Sequence, residues 1–226
     1  MNDTTAMEST RSRLLQAALP HVPFDGWSEA TLAAAITDSQ TPPALARALF
    51  PRGGIDMALA YHAAGDQQLR DTLAATDLAS LRFRDRIATA IRLRLQLADR
   101  ECVRRGAALF ALPQHLATGS RAIWATSDTI WTALGDTATD LNWYTKRVSV
   151  SAVYGATLLF WLSDDSLYQQ ATWDFLDRRI ENVMSFEKTK ARFRENSLGK
   201  ALLAGPLKVL ERIHAPKKAT DLPGKI

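Results

Sequence analysis

Apolar residues recur every three or four positions along most of this chain, which is the spacing of one face of an α-helix. In the first third of the sequence the runs are short, as in Leu14, Leu15, Ala18 and Leu19. From residue 81 onward the runs are longer, and no stretch alternates apolar and polar residues as a half-buried strand does. The pattern predicts an all-α protein.

The first 76 residues predict a group of short helices. Ser28 is a good N-terminal cap for one helix, and a second helix should begin near Pro43, because proline is tolerated in the first turn of a helix. Gly53 and Gly54 break the chain before a longer helix that ends at about Ala75. Residues 1–76 are therefore predicted to form a three-helix unit with a helix-turn-helix from Ser28 to Phe50.

Residues 77–194 predict a larger C-terminal helical bundle. One long amphipathic helix is expected to carry Ile87, Ile91, Leu95, Ala98 and Cys102 on a single face. A second helix should end at Gly135, which is a typical C-terminal cap. A nearly all-apolar helix from Trp143 to Leu162 then suits the centre of the bundle, and Trp173, Leu176, Ile180 and Val183 form the stripe of a last helix.

The segment 195–226 differs from the rest in charge. Residues 187–226 hold 10 Arg and Lys against 4 Asp and Glu, a net charge of +6 in a chain whose total is +4. Its leucines lie near helical spacing among these cations, so the segment can lie on an anionic membrane surface. The candidate membrane-binding residues are Leu198, Leu202, Leu203, Leu207 and Leu210. The alternative is a helix that packs on its own domain or on a partner subunit.

Catalytic and metal-binding patterns are missing from the sequence. His21, His62, His115 and His214 are scattered, and none has a Glu or a second His at the spacing that helical metal ligands need. We also find no nucleophile elbow, phosphate-binding loop or dinucleotide fingerprint. Cys102 lies on an apolar helix face and is expected to be a packing residue. The prediction is a non-enzyme with no metal and no cofactor.

The sequence favours a cytoplasmic location. The polar start lacks the basic and then apolar pattern of a secretory signal, and one cysteine cannot form an internal disulfide. The most apolar stretch, residues 148–162, is shorter than the roughly 20 residues that span a bilayer.

Four motifs in order resemble the coenzyme Q biosynthesis accessory family (Coq-nine). They are Gly135-Asp136-Thr137-Ala138-Thr139-Asp140, Asn142-Trp143-Tyr144-Thr145-Lys146-Arg147, Trp161-Leu162-Ser163-Asp164-Asp165-Ser166, and Phe175-Leu176-Asp177-Arg178-Arg179-Ile180-Glu181-Asn182-Val183. The resemblance extends from about Arg11 to Arg194. Asp136 and Asp140 are expected to be helix caps, and Lys146 and Arg147 either hold these aspartates or face solvent.

The resemblance implies a TetR-like fold that no longer serves DNA. It implies a homodimer that encloses isoprenoid lipids in an apolar pocket and presents ubiquinone intermediates to the demethoxyubiquinone hydroxylase, which does the chemistry. Such a protein would be peripherally associated with the inner membrane. Carried over to this chain, the partner-binding residues are Trp143 and Tyr144, with Ile130 and Leu134 four residues apart on the preceding helix.

The lipid-binding candidates are apolar residues of the central helices, and for any one of them an ordinary core position is the competing interpretation. They are Leu158, Leu159, Trp161, Ile91, Leu95 and Ile180. A long isoprenoid gains about 0.8 kcal/mol for each methylene-sized group it buries, so an apolar slot could bind one without specific polar contacts.

Two other functions compete with the lipid-binding hypothesis. A ligand-responsive TetR-type transcriptional regulator fits the predicted helix-turn-helix, but its recognition helix, Thr41 to Phe50, offers only Arg47 as a cation. Residues 1–76 hold 5 Arg and Lys against 8 Asp and Glu, and a net acidic unit is poorly suited to phosphate contacts. Nucleic-acid binding is therefore disfavoured. The third hypothesis is a structural scaffold without a ligand.

Overall fold

The computed structural model describes residues 3–195 and 215–216, and within them every regular element is helical. The all-α prediction is confirmed. The ten α-helices are α1 (Asp3–Ala18), α2 (Val22–Asp25), α3 (Glu29–Ser39), α4 (Pro43–Leu49), α5 (Gly54–Ala75), α6 (Phe83–Gln96), α7 (Arg100–Phe110), α8 (Leu116–Ala133), α9 (Leu141–Ser163) and α10 (Gln170–Glu195). In this part of the chain, no helix is long and apolar enough to span a bilayer.

The predicted helix-turn-helix is present as α3 and α4. Ser28 caps α3, because its hydroxyl oxygen accepts a hydrogen bond from the backbone N–H of Thr31 at 3.3 Å. Helix α3 ends at Gln40, which has left-handed backbone angles, and α4 begins with Pro43 as expected. Helices α1, α3, α4 and α5 share a buried core that includes Leu14, Leu32, Ala46, Phe50 and Met57.

A second core holds the larger bundle together. Helix α9 packs against α8 on one side and α10 on the other, and α5 and α6 close the bundle. Two side chains of α8 also bond to the backbone of α9: the Ser127 hydroxyl donates to the carbonyl of Arg147, and the Trp131 indole donates to the carbonyl of Lys146. The buried members include Leu69, Ile91, Leu95, Ile130, Val153, Tyr154, Leu158, Trp161 and Leu176.

The single long helix predicted across Ile87 to Cys102 is wrong. The chain leaves α6 after Gln96 and starts α7 at Arg100. Asp99 causes the restart, since its side chain accepts a hydrogen bond from the N–H of Cys102 at 2.8 Å and caps the new helix. The redirected α7 packs on the N-terminal unit, where the Trp27 indole donates to the carbonyl of Cys102 at 3.0 Å.

Gly54 is the first residue of α5, and it packs closely against the backbone of the connection between α2 and α3. A Cβ atom at this position would lie 2.1 Å from the carbonyl oxygen of Trp27 and 2.7 Å from the backbone nitrogen of Ser28. Backbone atoms cannot move aside as the end of a flexible side chain can, so this position requires glycine.

We expect Gly54→Ala to lower the free energy of unfolding by about 2 kcal/mol, the usual cost of forcing extra volume into a packed site. The matched control is Gly155→Ala in the middle of α9, where the new Cβ would meet only Ile123 Cγ2 at 4.0 Å. This change should raise the free energy of unfolding by about 0.5 kcal/mol, because alanine favours a helix. Urea denaturation measures both, and equal effects would contradict the packing argument.

Candidate functional site

The loop between α8 and α9 has a glycine at its start and an aspartate cap at its end. Gly135 has a φ of +79°, its N–H donates to the carbonyl of Thr132, and the N–H of Asp136 donates to that of Trp131. This hydrogen-bond pair is the Schellman ending of a helix, so the predicted Gly135 cap is confirmed. Asp140 caps α9 by accepting from the N–H of Asn142 at 3.0 Å.

Asp136 is not a cap for α9, and it forms a buried ion pair instead. Its side chain is only 2% exposed. One carboxylate oxygen lies 2.7 Å from Lys146 Nζ and the other 3.0 Å from Arg147 Nη1. Burial alone would raise the pKa of Asp136, but hydrogen bonds from Lys146 and Arg147 outweigh burial and hold the pKa below its usual value. The carboxylate is therefore ionised at neutral pH.

Arg147 connects this ion pair to the aromatic residues of the same motif. Its Nε donates to Asp128 Oδ1 of α8 at 2.6 Å, and its Nη1 also donates to the carbonyl of Trp143. The guanidinium carbon lies 3.9 Å from the centroid of the Trp143 ring, which is a cation–π contact. Two aspartates and one arginine thus fix the orientation of Trp143.

Trp143 belongs to a half-buried group of three aromatic side chains, which we call the aromatic patch (Trp124, Trp143 and Tyr144). The rings of Trp143 and Tyr144 meet edge to face with centroids 4.8 Å apart. Trp124 of α8 lies 5.8 Å from Trp143 and 6.4 Å from Tyr144, measured between centroids. Such side chains combine a large apolar surface with a polar edge, which suits the centre of a protein interface.

A cavity of about 320 Å³ opens on another side of α9 and is enclosed by residues of α5 to α9 together with Trp27. We call it the main cavity. At its edge, Leu116 and Leu159 are exposed, the latter to 64%. Its lining is largely apolar and includes Ala58, Val103, Ala107, Phe110, Ile123 and Leu158. The composition suits a ligand made mainly of hydrocarbon.

One wall of the main cavity is polar and is built on a buried ion pair. Arg94 Nε of α6 donates to Asp66 Oδ1 of α5 at 2.7 Å, and the two side chains are 4% and 5% exposed. Thr126 of α8 donates to the same Asp66 oxygen at 2.9 Å, and Arg94 Nη2 donates to the backbone carbonyl of His62. Every charged group of this wall has a partner, as burial requires.

His62 completes this wall from α5. Its Nε2 lies 2.8 Å from the hydroxyl of Thr126 and 2.9 Å from the carbonyl oxygen of Ala122. Desolvation lowers the pKa of His62 below its usual value, although the nearby Asp66 acts in the opposite direction. The imidazole is therefore neutral at physiological pH.

A smaller cavity of about 210 Å³ lies between α6, α9 and α10. It is lined by Phe83, Ile87, Trp131, Val150, Ile180 and Met184, with Lys146 and Asn142 as its polar members. Among the residues that the structure describes, no group of three His, Cys, Asp or Glu side chains is arranged to hold a metal ion.

Comparisons with known proteins match this region and, for whole relatives, most of the chain. A family model described as COQ9 matches residues 116–187. The mitochondrial ubiquinone biosynthesis protein COQ9 of Xenopus tropicalis is 30% identical over 207 residues, which cover 88% of this chain and 64% of the relative. Its human and Drosophila melanogaster counterparts are each 28% identical, covering 90% and 80% of this chain and 66% and 57% of those proteins. The chain thus spans less than two thirds of the length of each.

The predicted resemblance to the COQ9 family is confirmed.

The fold has a solved counterpart outside the COQ9 proteins. A TetR transcriptional regulator from Nitrosomonas europaea superposes with a TM-score of 0.62, covering 76% of this chain and 95% of the regulator. The two sequences are 16% identical, so the likeness concerns the fold alone. The predicted TetR-like architecture is confirmed. The stretch matched by the COQ9 model holds α8, α9 and most of α10, including the whole aromatic patch.

The residues predicted from the COQ9 resemblance as partner-binding do not all reach the surface. Trp143 and Tyr144 lie in the aromatic patch, and Leu134 is half-buried at the end of α8. Ile130 is 0% exposed, because α9 covers its face of α8. In this conformation Ile130 is a core residue. Trp124, six residues before Ile130 on α8, lies in the aromatic patch and is not among the predicted partner-binding residues.

The predicted lipid-binding residues are spread over three environments. Leu158 and Leu159 line the main cavity and Ile180 lines the smaller one. Ile91, Leu95 and Trp161 are buried in the core and line neither. The predicted membrane-binding residues Leu198, Leu202, Leu203, Leu207 and Leu210 lie outside the described residues.

The polar wall of the main cavity was not anticipated from the sequence. A signal was present, since Asp66 lies three residues before the buried Leu69 and Arg94 lies three residues after the buried Ile91. Both charges therefore fall on apolar helix faces. A buried charge needs a partner, and Asp66 and Arg94, which are 28 residues apart, are the pair that satisfies this need.

We expect Asp136→Asn to lower the free energy of unfolding by about 3 kcal/mol at pH 7, because it leaves Lys146 and the buried Arg147 without their shared carboxylate. The control is Asp165→Asn, whose side chain is 98% exposed and 3.8 Å from Arg100, with an expected change under about 0.5 kcal/mol. Denaturant unfolding followed by circular dichroism measures both variants.

The contribution of Asp136 to the free energy of unfolding should also depend on pH. Because its native pKa is depressed, its contribution is present above the unfolded value of about 3.9 and is lost as the pH falls through the native pKa. The stability difference between the wild type and Asp136→Asn should therefore narrow below about pH 4. A difference that stays constant down to pH 2 would contradict this.

Proposed function

We propose that this chain is a lipid-binding accessory protein of ubiquinone biosynthesis, which binds isoprenoid quinone intermediates and presents them to the demethoxyubiquinone hydroxylase. The observation that carries the proposal is an open apolar cavity inside a TetR-like bundle whose sequence is similar to proteins named for ubiquinone biosynthesis. The protein acts as a carrier in this proposal, and the hydroxylase does the chemistry.

The size of the main cavity determines how such a lipid would sit. A volume of about 320 Å³ is at the low end for ligand sites and holds a ring with a short chain, whereas a polyisoprenoid is several times longer. The remainder of the chain must leave the cavity at the edge where Leu116 and Leu159 are exposed. Each methylene-sized group that remains inside contributes about 0.8 kcal/mol.

Helix α9 offers a route from binding to presentation. Tyr154 and Leu158 line the main cavity, and Trp143 and Tyr144 lie in the first turn of the same helix. Tyr144 and Tyr154 are separated by about 15 Å along the axis, from a rise of 1.5 Å per residue. A partner that docks on the aromatic patch would therefore be within one ligand length of the cavity.

The remaining parts of the proposal concern assembly and location. In this proposal the protein is a homodimer, and its basic tail attaches it peripherally to an anionic surface of the inner membrane. The tail's leucines and its net charge of +6 over residues 187–226 support the attachment.

A DNA-binding regulator is the alternative function, and it rests on the fold alone. Helix α4, the counterpart of a recognition helix, has only seven residues, and its one cation, Arg47, lies 3.8 Å from Glu29. We expect no specific mobility shift with DNA from the protein's own locus at physiological salt. A specific shift would favour the DNA-binding regulator over the lipid-binding accessory protein.

The direct test of lipid binding is mass spectrometry of molecules that co-purify with the protein. We expect isoprenoid quinones or their precursors, extracted by organic solvent from the folded protein and absent after washing with detergent. A purified protein that carries no such lipid, and that takes up none from quinone-containing vesicles, would contradict the proposal.

Tyr144→Lys should weaken hydroxylase binding at least tenfold, because it places a charge within the aromatic patch. The control is Phe24→Lys, which changes an exposed aromatic side chain of the N-terminal unit and should leave binding unchanged. Surface plasmon resonance with immobilised hydroxylase compares the two. Equal affinities for wild type and Tyr144→Lys, with unchanged helical spectra, would remove Tyr144 from the interface.

A further inference from the structure

The polar wall of the main cavity has more hydrogen-bonding capacity than its own contacts use. Asp66 accepts from Arg94 Nε and from Thr126, and the carbonyl of His62 accepts from Arg94 Nη2. Within the described residues, no acceptor is recorded for the third guanidinium nitrogen, Arg94 Nη1. Because Arg94 lines the cavity, this nitrogen is the donor that a ligand can use.

The packing around Arg94 also fixes the guanidinium in place. Gly65 of α5 lies so close that a Cβ atom there would be 2.8 Å from the guanidinium carbon and from both terminal nitrogens. The guanidinium thus has glycine backbone on one side and Asp66 at its edge. A donor held in this way loses little side-chain entropy when it binds a ligand.

The protonation of His62 follows from its partners. A carbonyl oxygen can only accept, so Nε2 carries the proton that points to Ala122. The Thr126 hydroxyl lies 2.9 Å from Asp66 Oδ1, and we assign its proton to that carboxylate, so that Thr126 accepts from the same Nε2. In the neutral ring, Nδ1 is then an unprotonated acceptor. His62 also lines the cavity, so the wall offers one acceptor beside one donor.

We infer that His62 and Arg94 form a head-group site that takes the oxygen of a phenol or quinone ring at the inner end of an otherwise apolar ligand. Arg94 Nη1 donates to the ring oxygen, and His62 Nδ1 accepts from a phenol proton. The ligand enters head first, its ring against the polar wall and its chain directed to Leu116 and Leu159 at the edge.

The chemistry of the wall restricts which ligands fit. Asp66 neutralises Arg94, so the wall carries no net charge and gives no advantage to a phosphate or carboxylate head. A plain hydrocarbon would leave the buried Arg94 donor without a ligand acceptor. A neutral head group with one oxygen needs no net charge from the wall and gives Arg94 its acceptor. This inference rests on the proposed function and specifies which end of the ligand the cavity recognises.

The test compares two probes that differ by one hydroxyl group, 4-decylphenol and decylbenzene. Each is titrated against the full-length protein as a competitor of the neutral fluorescent probe N-phenyl-1-naphthylamine. One hydrogen bond to a charged group corresponds to about tenfold in affinity, so we expect the wild type to bind the phenol about tenfold more tightly.

Two variants test whether the polar wall causes the preference for 4-decylphenol over decylbenzene. Arg94→Lys keeps a positive charge beside Asp66 but removes the third guanidinium nitrogen. His62→Gln keeps a donor for Ala122 but no longer places an acceptor at the position of the ring nitrogen Nδ1. Each should lower the affinity ratio of the two probes severalfold, because only one of the two hydrogen bonds to the phenol is left, while the affinity for decylbenzene changes little. The control Leu158→Ala should weaken both probes equally, since Leu158 belongs to the apolar lining. If Arg94→Lys does not fold, His62→Gln decides the matter.

The outcomes separate this inference from the proposed function. Equal affinity of the wild type for the two probes would overturn the head-group site and leave an apolar lipid cavity intact. A tenfold preference that persists in both variants would also overturn it. If neither probe displaces the fluorophore, lipid binding in this cavity is itself excluded.

Discussion

The buried pair of Asp66 and Arg94 is the interaction around which the helices of the main cavity are arranged. It joins α5 to α6 directly, and Thr126 brings α8 to the same carboxylate. Removing one partner of such a pair costs about 3–5 kcal/mol, whereas replacing both with apolar residues is often neutral or stabilising. Stability alone therefore does not require a charged pair at this position. Its location on the wall of a cavity gives it a second use, which is to hold a hydrogen-bond donor where a ligand would arrive.

The two sites of the molecule share helix α9 and use the same physical device. In each, an arginine is held by carboxylates from a different part of the chain, Arg94 by Asp66 and Arg147 by Asp128 and Asp136. At the cavity, the held arginine faces a space for ligand. At the aromatic patch, it lies against the ring of Trp143. Helix α9 carries Arg147 near its beginning, and its Tyr154 and Leu158 line the main cavity further along, so one helix takes part in both sites.

The N-terminal unit has the helix-turn-helix geometry without the positive charge that DNA binding needs. Helices α3 and α4 preserve the helix-turn-helix geometry, yet residues 1–76 have a net charge of −3 and α4 offers a single cation. DNA affinity depends on neutralising phosphates, so the geometry without the charge has little to bind with. The apolar interior of the bundle does not depend on those surface charges, so a fold of this kind does not by itself determine whether DNA is bound.

Local physics in the sequence determined most of the helices. Periodic apolar residues predicted the faces that pack, and the caps at Ser28 and Gly135 lie where their side-chain and backbone preferences require. These preferences act within one or two turns, so they are readable without a structure. The break before α7 was missed because capping by Asp99 competed with an uninterrupted apolar pattern, and the contact that favours it, from the N–H of Asp99 to the Tyr61 hydroxyl, spans 38 residues.

Only the tertiary structure decided which of those faces form a site. Ile130 and Trp124 lie on one helix, yet packing by α9 buries the first and leaves the second in the aromatic patch. Likewise, Asp66 and Arg94 stand in the sequence as isolated charges on apolar faces. Arg94 lines the main cavity and is held there by Asp66, because the helices bring together groups 28 residues apart, and Thr126 joins Asp66 from 60 residues away. Burial and charge pairing over such separations depend on how the helices pack, which the periodicity of each single helix does not contain.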